Sequence, residues 1–572
     1  MQTEKNITGY PSVDKPWLKY YSEQDKNAPI PQCTIYDFLW DKNKEHLYEY
    51  AYNYFGKKIT YKELFDNINK VAKAYKKIGV EKNTIVGILA VTIPETIYTI
   101  YALNKLGAIS NMIDPRTSKE GIKSYLNETG CKTLFVIDSL FSKIEGILDD
   151  VKIENVIICS PSQSLSPLKR FLFNLKNKNN ISSNKVIEWR NFIATGSAVN
   201  ITTSCMSPDD CCIIVHTGGT TGSPKSVMLS NANLNMAAFQ PMNSPLLMKR
   251  RDKFFNIMPP FIAYGIVLGM HTAACMGWYS YLFPKFDPDE FATLIKKHKP
   301  QGIMGVPTHY EKLMNDDICD NLDLSFLKVA LAGGDKTSVA FENKINSFFK
   351  EHNCSIHLSK GYSMTEASAS ATISYENANK IGSNGIPGIK TNMGVFNNDE
   401  TECLYNEIGE LCISTPTMML GYHNNKSETE NIIKKHKDGT LWIHTGDIGY
   451  IDEDGFVFVE GRKKRIIIRY DGFKIFPSQI EKVCLNESCI IDCCAVGVKD
   501  NSHSQGMLPI VFAVLKEDCE GDGIKVKLFE LCKKELSEYM QPIDFVFIDE
   551  MPQTPIGKVD YKVLERKAEE LM

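Results

Sequence analysis

The run Thr84-Ile-Val-Gly-Ile-Leu-Ala-Val91, followed by a helical stretch from Pro94 to Lys105, decides the fold class. A continuous run rich in Ile and Val is typical of a strand that is buried on both faces, and Pro is favoured in the first turn of a helix. Two similar runs follow, Thr133-Leu-Phe-Val-Ile-Asp138 and Asn155-Val-Ile-Ile-Cys159. Strands that alternate with helices predict βαβ units, and therefore a parallel sheet with helices packed on its faces.

The same alternation resumes in the middle of the chain. Gly302-Ile-Met-Gly-Val306 predicts a strand, a helical stretch begins near His309, and Leu327-Lys-Val-Ala-Leu-Ala-Gly-Gly334 predicts another strand. We therefore expect an α/β protein with a large N-terminal domain that contains helix-covered, largely parallel sheets.

The sequence changes character beyond Phe476-Pro477. Ser478-Gln-Ile-Glu481 has the pattern of a capping box that opens a helix. Strands are expected at 491–498 and 509–515, a helix near 525–538, and a terminal helix after them. About 100 residues of this kind can form their own core, which predicts a small, mobile α+β C-terminal domain. With the boundary near Gly461-Arg-Lys-Lys464, the domains are residues 1–461 and 462–572.

The composition excludes several classes of protein. The chain has 572 residues, of which 43% are hydrophobic and 23% charged, so it is too long for one ordinary core and too apolar for a disordered chain. Its 65 Lys and Arg against 69 Asp and Glu give a net charge of −4, so we expect no nucleic-acid partner. The terminal sequences show neither a signal-peptide pattern nor a lipidation motif, which favours a cytoplasmic location.

The cysteine pattern predicts thiols. The 17 cysteines are an odd number, form no Cys-x-x-Cys pair, and often lie in apolar runs such as Cys211-Cys212-Ile213-Ile214. We expect them to be reduced and buried, with little room for disulfides. Cys489, Cys493 and Cys494 lie in an apolar, strand-like run with no second pair at ligand spacing, which argues against a metal cluster.

Two segments bear on membrane contact. Between Phe254 and Pro284 the chain has no charged residue, but prolines and glycines interrupt the run, so we expect a strand, a loop, a buried helix near 265–277 and another strand instead of a membrane span. Residues 160–185 are polar and include a basic stretch at 168–178. A solvated surface insertion is the favoured interpretation, and an amphipathic helix on a membrane surface is the alternative, so membrane contact would be at most peripheral.

The strongest local signal is His216-Thr-Gly-Gly-Thr-Thr-Gly-Ser-Pro-Lys-Ser226, directly after the apolar run Cys211 to Val215. Glycines let the backbone approach a polyphosphate, threonine hydroxyls add donors, and Lys225 adds a positive charge. It is not a Walker A loop, because Pro224 precedes Lys225 and lacks the N–H that such a loop uses. The alternative interpretation is a surface turn rich in Gly and Thr.

The loop resembles the phosphate-binding signature of the adenylate-forming superfamily, which contains acyl-CoA synthetases, luciferases and the adenylation domains of peptide synthetases. From about residue 45 to the C-terminus, further motifs match in order: Gly361-Tyr-Ser-Met-Thr-Glu366, Gly409-Glu410, Gly421-Tyr422, Trp442-Ile-His-Thr-Gly-Asp447, Gly461-Arg462, Gly472-Phe-Lys-Ile-Phe-Pro477 and Pro555-Ile-Gly-Lys558. The resemblance implies that a carboxylate attacks the α-phosphate of ATP, pyrophosphate leaves, and a thiol captures the acyl-adenylate. It implies ATP, Mg²⁺ and CoA as the cofactors.

The resemblance also implies the nucleotide site. It puts the phosphates of ATP against the loop residues Thr217, Gly218, Gly219, Thr220, Thr221, Gly222 and Lys225. The ribose hydroxyls fall to Asp447 and Arg462, since a carboxylate accepts hydroxyl hydrogen bonds and a guanidinium donates them. The adenine falls to Tyr362 and the backbone at Gly333, Gly334 and Asp335.

Catalytic groups follow from the same resemblance. Thr365 would contact the α-phosphate, and Glu366 would bind Mg²⁺, a hard cation that takes oxygen ligands. Lys558 would bridge the attacking carboxylate and the phosphate during adenylation. In the family the small domain then turns about the position matched by Lys464, so that the segment at Gly472 replaces Lys558 and admits the thiol.

The expected substrate is an uncharged, aliphatic acid. An amino-acid-activating relative neutralises the substrate's ammonium group with an Asp in the acyl-pocket motif, and residues 254–284 contain no acidic residue. The tail of a fatty acid would lie against Phe261, Ile262, Tyr264 and Met270. Ile262 stands where many synthetases carry His, which leaves the form of any gate open.

Three functions stay open at this point. The first is an acid–CoA ligase that makes acyl-CoA. The second is an acyl-AMP ligase that loads the pantetheine of an acyl carrier protein by the same first half-reaction. The third is a non-catalytic nucleotide-binding relative, against which the joint presence of Lys225, Thr365, Glu366, Asp447, Arg462 and Lys558 argues.

Two further departures from the family pattern affect the phosphate loop and the hinge. Gly218 and Ser226 stand where the common pattern has Ser and Gly, and we expect modest effects. The stretch from Arg465 to Asp471 is one residue longer than the usual turn, so the resemblance transfers no roles within it.

Overall fold

The computed structural model describes residues 7–176, 184–201, 206–217, 225–319, 322–334, 337–503, 505–516, 519, 521–553 and 559–571. Within them, helices cover two mainly parallel sheets, and an antiparallel sheet and a small C-terminal unit complete the fold. The predicted α/β class, with a large N-terminal domain and a smaller C-terminal one, is confirmed. The boundary at residues 461 and 462 stays a prediction.

The first parallel sheet contains the βαβ units that the sequence predicts. Its strands lie, in spatial order, at Gly421–Tyr422, Lys225–Ser230, Cys211–Thr217, Ile109–Ile113, Ile85–Leu89, Thr133–Ile137, Asn155–Cys159 and Val186–Glu188. Neighbours from Cys211–Thr217 onward are parallel, whereas Lys225–Ser230 is antiparallel to both of its neighbours. The helix Pro94–Leu106 begins with Pro at its first position, as expected, and ends at Gly107 in the left-handed conformation.

The second parallel sheet is built from the middle of the chain and closed by an N-terminal hairpin. Its strands lie, in spatial order, at Ser359–Lys360, Val329–Ala332, Gly302–Gly305, Lys253–Asn256, Tyr279–Leu282, Tyr50–Tyr54 and Lys57–Thr60. All pairs are parallel except the hairpin Tyr50–Tyr54 with Lys57–Thr60. Separate apolar cores rich in Phe, Tyr, Ile and Leu form around each of the two sheets.

Helices surround these sheets. The longer ones lie at Ile35–Asn43, Tyr61–Lys77, Pro94–Leu106, Lys119–Thr129, Pro167–Lys176, Trp189–Thr195, Asn231–Met242, Phe291–His298, Pro307–Met314, Val339–Glu351 and Lys426–Ile432. Several begin with capping boxes, such as Thr60 with Glu63 and Ser230 with Asn233. None of the helices in the described ranges has the length and apolar character that crossing a bilayer requires.

The uncharged segment after Phe254 forms the predicted order of strand, loop, helix and strand. The helix runs as a π-helix over Tyr264–Thr272 and continues at Ala273–Cys275. A Cβ atom at Gly265 would lie 1.8 Å from the carbonyl oxygen of Pro259, and one at Gly269 would lie 2.4 Å from Asn256 Oδ1. These two glycines therefore let the helix pack directly on the preceding loop and strand.

An antiparallel sheet follows, which the sequence analysis did not anticipate. Its strands lie, in spatial order, at Asn392–Phe396, Gly409–Ser414, Leu441–Ile451 and Ile433–Lys435, and Val457–Arg462 also pairs with Leu441–Ile451. The strand Val457–Arg462 leads into the short helical turn Lys463–Arg465.

The C-terminal unit is a small α+β assembly, as expected. Strands Ile490–Lys499 and Met507–Leu515 are antiparallel, and Asp544–Phe547 lies parallel to the second of them. The helices Pro477–Cys484, Gly521–Glu535 and Tyr561–Leu571 complete the unit. Separate apolar clusters lie on the two faces of this sheet.

The predicted capping box at Ser478 is wrong. The helix begins at Pro477, and Phe476 is its N-cap without a side-chain hydrogen bond. Ser478 Oγ is buried and has no hydrogen-bond partner among the described residues. Glu481 instead forms an ion pair with Arg465, at 2.6 Å, and accepts a hydrogen bond from the backbone of Ala495. Long-range pairing therefore overrides the local motif.

The expectation that all cysteines are reduced is also wrong at one pair. The structure joins Cys489 to Cys519 as a disulfide. The register of the antiparallel strands puts Ile490 opposite Leu515, so chain segments 30 residues apart in sequence meet at the same end of the hairpin. Most of the other described cysteines are buried thiols, as expected.

Candidate active site

A cavity of about 1720 Å³ lies where strands of both parallel sheets end. Val91 and Asp114 follow strands of the first sheet, Val306 and Gly333 follow strands of the second, and all four line the cavity. Ligands of open α/β sheets bind outside the carboxyl ends of the strands. This cavity is therefore the candidate active site.

The phosphate loop meets the cavity at its two ends. Thr217 and Lys225 lie directly opposite each other in adjacent strands, and both line the cavity. Lys225 forms an ion pair with Glu428, and its ammonium group lies 4.8 Å from the centre of the Tyr422 ring. The predicted residues Gly218, Gly219, Thr220, Thr221 and Gly222 lie outside the described residues.

Thr365 and Glu366 lie together on the cavity wall. They begin the short helical turn Thr365–Ala367, and the buried Glu366 accepts a hydrogen bond of 2.7 Å from the Tyr422 hydroxyl. Burial and the carboxylate raise the pKa of Tyr422, so this tyrosine stays protonated and donates. Within the described ranges, no cluster of three or more His, Cys, Asp or Glu residues is arranged to hold a metal. The single carboxylate of Glu366, on the cavity wall, fits Mg²⁺, which binds proteins through few carboxylates and completes its shell with phosphates and water.

Asp447 and Arg462 form an ion pair, and Arg462 lines the cavity. They lie opposite each other in adjacent antiparallel strands, with 2.9 Å between Arg462 Nε and Asp447 Oδ1. The other carboxylate oxygen of Asp447 accepts a hydrogen bond of 2.6 Å from the Tyr362 hydroxyl. Burial, followed by the nearby Asp447 charge, raises the pKa of Tyr362. The structure thus brings together three residues that the sequence assigns to one nucleoside.

The predicted adenine pocket is partly described. Tyr362, Gly333 and Gly334 line the same cavity, whereas Asp335 lies outside the described residues. The amide of Gly333 donates to the carbonyl of Gly305, at 3.1 Å, which ties this turn to the neighbouring strand end. Gly334 has a φ of +82°, a conformation that favours glycine.

A cluster of Glu410, Lys463 and His444 at the cavity was missed by the sequence analysis. Glu410 lies 2.9 Å from Lys463 Nζ and 3.3 Å from His444 Nδ1, and all three residues line the cavity. Burial alone would raise the pKa of Glu410, but contacts with His444 and Lys463 outweigh it and lower the pKa to about 2. Gly409-Glu410 was available as a motif, but its partners are distant in sequence. The cluster links the antiparallel sheet to the start of the C-terminal unit.

The remaining wall of the cavity is apolar. Phe261, Ile262 and Tyr264, which were assigned to the acyl pocket, line this wall, and Phe261 also lies under the guanidinium of Arg116. Further apolar lining residues come from several elements: Leu246, Met248, Phe254, Met258, Leu268, Trp278, Phe283, Ile303, Met304 and Leu331. His309 belongs to this wall, and burial lowers its pKa to about 4, so it is neutral at pH 7. This part of the cavity suits an uncharged chain.

Met270 was assigned to the acyl pocket, but the structure does not bring it to the described lining of the cavity. It is buried in the core around the first sheet. Leu268 and Thr272 of the same helix line the cavity instead.

Lys558, Lys464 and Gly472, the residues assigned to the two half-reactions, differ in where they lie relative to the cavity. Lys558 lies outside the described residues, but Gln553 and Tyr561, on either side of it, line the cavity. Lys464 also lines the cavity. Gly472 lines a separate surface depression beside Arg469 and Gly506, so the structure does not bring Gly472 to the site.

Comparison with known families gives matches over most of the chain. A family model described as "AMP-binding enzyme" matches residues 39–423, and one described as "AMP-binding enzyme C-terminal domain" matches residues 479–558. These two matches identify the family, but their descriptions name neither the reaction nor the acid substrate.

Individual relatives match along nearly their whole length. A long-chain-fatty-acid–CoA ligase of Bacillus subtilis is 28% identical over 97% of this chain and 98% of its own. A probable 4-coumarate–CoA ligase of Dictyostelium discoideum is 28% identical over 89% of this chain and 91% of its own. The crystal structure of ATP-bound MatB from Rhodopseudomonas palustris has the same fold, with a TM-score of 0.81 at 19% identity over 95% of this chain and all of that one.

Proposed function

This chain belongs to the AMP-binding enzyme family, and from that premise we propose that it is an AMP-forming acid–CoA ligase acting on fatty acids. Such an enzyme converts the acid and ATP to an acyl-adenylate and pyrophosphate, and then passes the acyl group to the thiol of CoA. One observation carries the proposal: a single cavity joins Glu366 and Arg462, the ion-pair partner of Asp447, to a long apolar wall.

In the first half-reaction two anions must meet. Lys225 contributes positive charge for the outer phosphates, and Thr365 offers a hydroxyl to the α-phosphate. Mg²⁺ held by Glu366 would neutralise phosphate charge. Lys558 would stabilise the charge that develops as the carboxylate attacks phosphorus, and the cavity-facing positions of Gln553 and Tyr561 support its access.

To bind the nucleoside, Asp447 and Arg462 would replace contacts with each other by hydrogen bonds to the ribose. Asp447 would accept hydrogen bonds from the ribose hydroxyls, and Arg462 would donate to them, while the Tyr362 ring offers a flat face to the adenine. The hydrogen bond from Tyr362 and the ion pair with Arg462 hold the Asp447 carboxylate in place, which limits the side-chain entropy that binding would cost.

We assign the second half-reaction to rearrangement of the C-terminal domain, residues 462–572. The turn Lys463–Arg465 joins the antiparallel sheet to that domain, and Lys464 lies at the cavity. The position of Gly472 outside the cavity fits a resting arrangement in which its segment must move before the thiol reacts.

The substrate class follows from the apolar wall. The segment 254–284 contains no acidic residue, and the unprotonated nitrogen of His309, Nδ1, already accepts a hydrogen bond from the backbone of Val306. Burying an unpaired ammonium is costly, so α-amino acids are disfavoured. The long-chain-fatty-acid–CoA ligase of Bacillus subtilis supports a fatty acid as the substrate.

A screen of acids tests the proposal. The purified protein, ATP and Mg²⁺ are incubated with straight-chain fatty acids, aromatic acids and amino acids, and pyrophosphate release is measured with and without CoA. We expect release with fatty acids and acyl-CoA only when CoA is present. Failure of every acid to release pyrophosphate would overturn the proposal. Acyl transfer to a purified carrier protein but not to CoA would replace it with the acyl-AMP ligase.

A cytoplasmic location with peripheral membrane contact is part of the proposal. The helix Pro167–Lys176 is held by hydrogen bonds from Lys169 to the carbonyl of Phe55 and from Arg170 to that of Ser162. The apolar stripe of this helix is turned to solvent, with exposed fractions of 70%, 61%, 51% and 57% at Leu168, Phe171, Leu172 and Leu175. From residue 160 to 187 the sequence contains five basic and no acidic residues, which favours an anionic bilayer surface. Residues 177 and 178 of the predicted stretch lie outside the described residues.

Vesicle sedimentation tests the membrane contact. We expect binding to vesicles that contain phosphatidylglycerol, weaker binding to phosphatidylcholine alone, and loss of binding in Phe171→Gln/Leu175→Gln. Ile381→Gln, which changes an exposed apolar residue elsewhere, is the matched control. Equal sedimentation of both variants would overturn the assignment to this helix, and a concentration-dependent dimer that the double variant abolishes would assign the stripe to self-association.

A further inference from the structure

The base of the phosphate loop is closed by side chains as well as by the backbone. His216 and Ser226 lie directly opposite each other in adjacent strands, at the two ends of the loop. The Ser226 hydroxyl lies 3.1 Å from His216 Nδ1, and His216 Nε2 lies 2.7 Å from Asn111 Oδ1. Ser226 stands where the common family pattern has Gly, so the contact depends on a departure from that pattern.

The direction of every hydrogen bond in this chain of contacts is determined by its far end. The Thr129 hydroxyl donates to the carbonyl of Tyr125, at 2.6 Å, and therefore accepts from Asn111 Nδ2, at 3.0 Å. Asn111 Oδ1 must then accept from His216 Nε2–H. His216 Nδ1 carries no proton and accepts from the Ser226 hydroxyl.

The surroundings keep His216 neutral. Burial, and to a lesser degree the nearby His423, lowers the pKa of His216 to about 3. Its ring stacks on Tyr125, with 3.6 Å between ring centres, and both rings line the cavity. A neutral imidazole with one defined tautomer can connect a donor and an acceptor without adding charge beside the phosphates.

We propose that Ser226 is a positioning residue for ATP, which acts through His216 and Asn111 to fix the two ends of the loop between Thr217 and Lys225. The inference rests on the proposed role of that loop in binding the phosphates. A loop rich in glycine loses much conformational entropy when it is ordered around a ligand, and fixed ends reduce that loss. The contact also ties the loop to the helix Lys119–Thr129, which carries Tyr125.

A second buried histidine supplies a matched control. His271 accepts a hydrogen bond of 3.0 Å at Nδ1 from the Tyr101 hydroxyl, and its Nε2 donates to Asn235 Oδ1, also at 3.0 Å. It too is neutral, with a pKa lowered to about 3 by burial. Neither Tyr101 nor His271 belongs to the described lining of the cavity. Tyr101→Phe therefore removes the same kind of hydrogen bond away from the site.

The kinetic test compares Ser226→Ala, Ser226→Thr and Tyr101→Phe by fatty-acid-dependent exchange of pyrophosphate into ATP. Ser226→Ala should raise the KM for ATP about tenfold, the effect of losing one well-made hydrogen bond, with the KM for the acid unchanged. Ser226→Thr keeps the hydroxyl and should restore most of the affinity. Tyr101→Phe should lower the melting temperature without changing the KM for ATP. An equal KM for ATP in Ser226→Ala and Tyr101→Phe would overturn the inference.

A spectroscopic test uses the wild-type protein and so does not depend on whether a variant folds. In the wild-type protein labelled with ¹⁵N-histidine, His216 should show the Nε2–H tautomer and stay neutral down to about pH 5. The Nδ1–H tautomer, or a protonated ring at neutral pH, would contradict the assignment. Absence of exchange in the wild-type enzyme would instead refute the proposed function, so the two failures are distinguishable.

Discussion

The two ends of the cavity differ in how they meet a ligand. At the nucleotide end, charged groups are already paired with each other, as Lys225 is with Glu428, Arg462 with Asp447 and Lys463 with Glu410. At the acyl end, the wall consists of apolar side chains, and His309 is neutral. A nucleotide must therefore exchange partners, whereas an acyl chain only displaces water.

This difference separates two sources of selectivity. Exchange of ionic partners yields a small net free energy, but it demands a specific geometry, so single charged residues should have large effects on rate. Burial of apolar surface is non-directional and scales with area, so the acyl end should discriminate in small, additive steps.

The largest expected effect is at Lys558. Lys558→Ala should reduce acyl-adenylate formation about 10²- to 10³-fold, because one charged contact to the transition state is lost. Conversion of pre-made acyl-adenylate and CoA to acyl-CoA should be largely unaffected. Lys562→Ala, on the exposed side of the terminal helix, is the control. Equal losses in both half-reactions would argue against alternation of the C-terminal domain.

A smaller effect is expected at Glu366. Glu366→Gln keeps an oxygen for the Tyr422 hydrogen bond but loses the charge that Mg²⁺ requires. The apparent Mg²⁺ affinity should fall at least about tenfold, since even the loss of an outer partner of a metal site has this effect. Titration of pyrophosphate release with Mg²⁺ measures it, with thermal unfolding as the control for folding. An unchanged Mg²⁺ dependence would remove Glu366 from the metal site.

At the acyl end we expect gradual discrimination. Each added CH₂ contributes about 0.8 kcal/mol, so kcat/KM should rise roughly fourfold per CH₂ until the apolar wall is filled, and then fall. Amino acids of matched length should be far poorer substrates, because their ammonium would be buried without a partner. Assays over a ladder of fatty acids and the matching amino acids measure both. Preference for the amino acids would reverse the assignment of the two ends.

The smallest effect concerns acid stability. The pKa of Glu410 in the folded protein is lowered to about 2, below the value of about 4.3 in an unfolded chain. Its pairing with Lys463 and His444 therefore stabilises the fold above about pH 4.3, and this contribution is lost as the pH falls through 2. Glu410→Gln should lower the melting temperature by a few degrees at pH 6 and by less at pH 3. A constant difference would show that Glu410 does not titrate in this range.

The sequence predicts the parts of the fold that depend on local pattern. The strands Ile85–Leu89 and Asn155–Cys159 lie within two residues of their predicted positions, because buried parallel strands are continuous apolar runs. The ribose pair Asp447 and Arg462 was identified by motif, and its residues do meet in space.

The failures all involve long-range contacts. Glu428, the partner of Lys225, reaches the site from the helix Lys426–Ile432, and His444 is brought beside Glu410 by strand pairing. No local pattern reveals either contact. The capping box at Ser478 fails because Arg465 recruits Glu481.

The short turn Lys463–Arg465 sets the length of chain between the proposed ribose ligand and the C-terminal unit. Arg462, the proposed ribose ligand, is the last residue of its strand, and the turn follows without a spacer. A displacement of the C-terminal unit should therefore also displace Arg462. Insertion of a few glycines after Arg462 should leave both domains folded but uncouple their motions. The acyl-adenylate should then dissociate into solution before it reacts with the thiol.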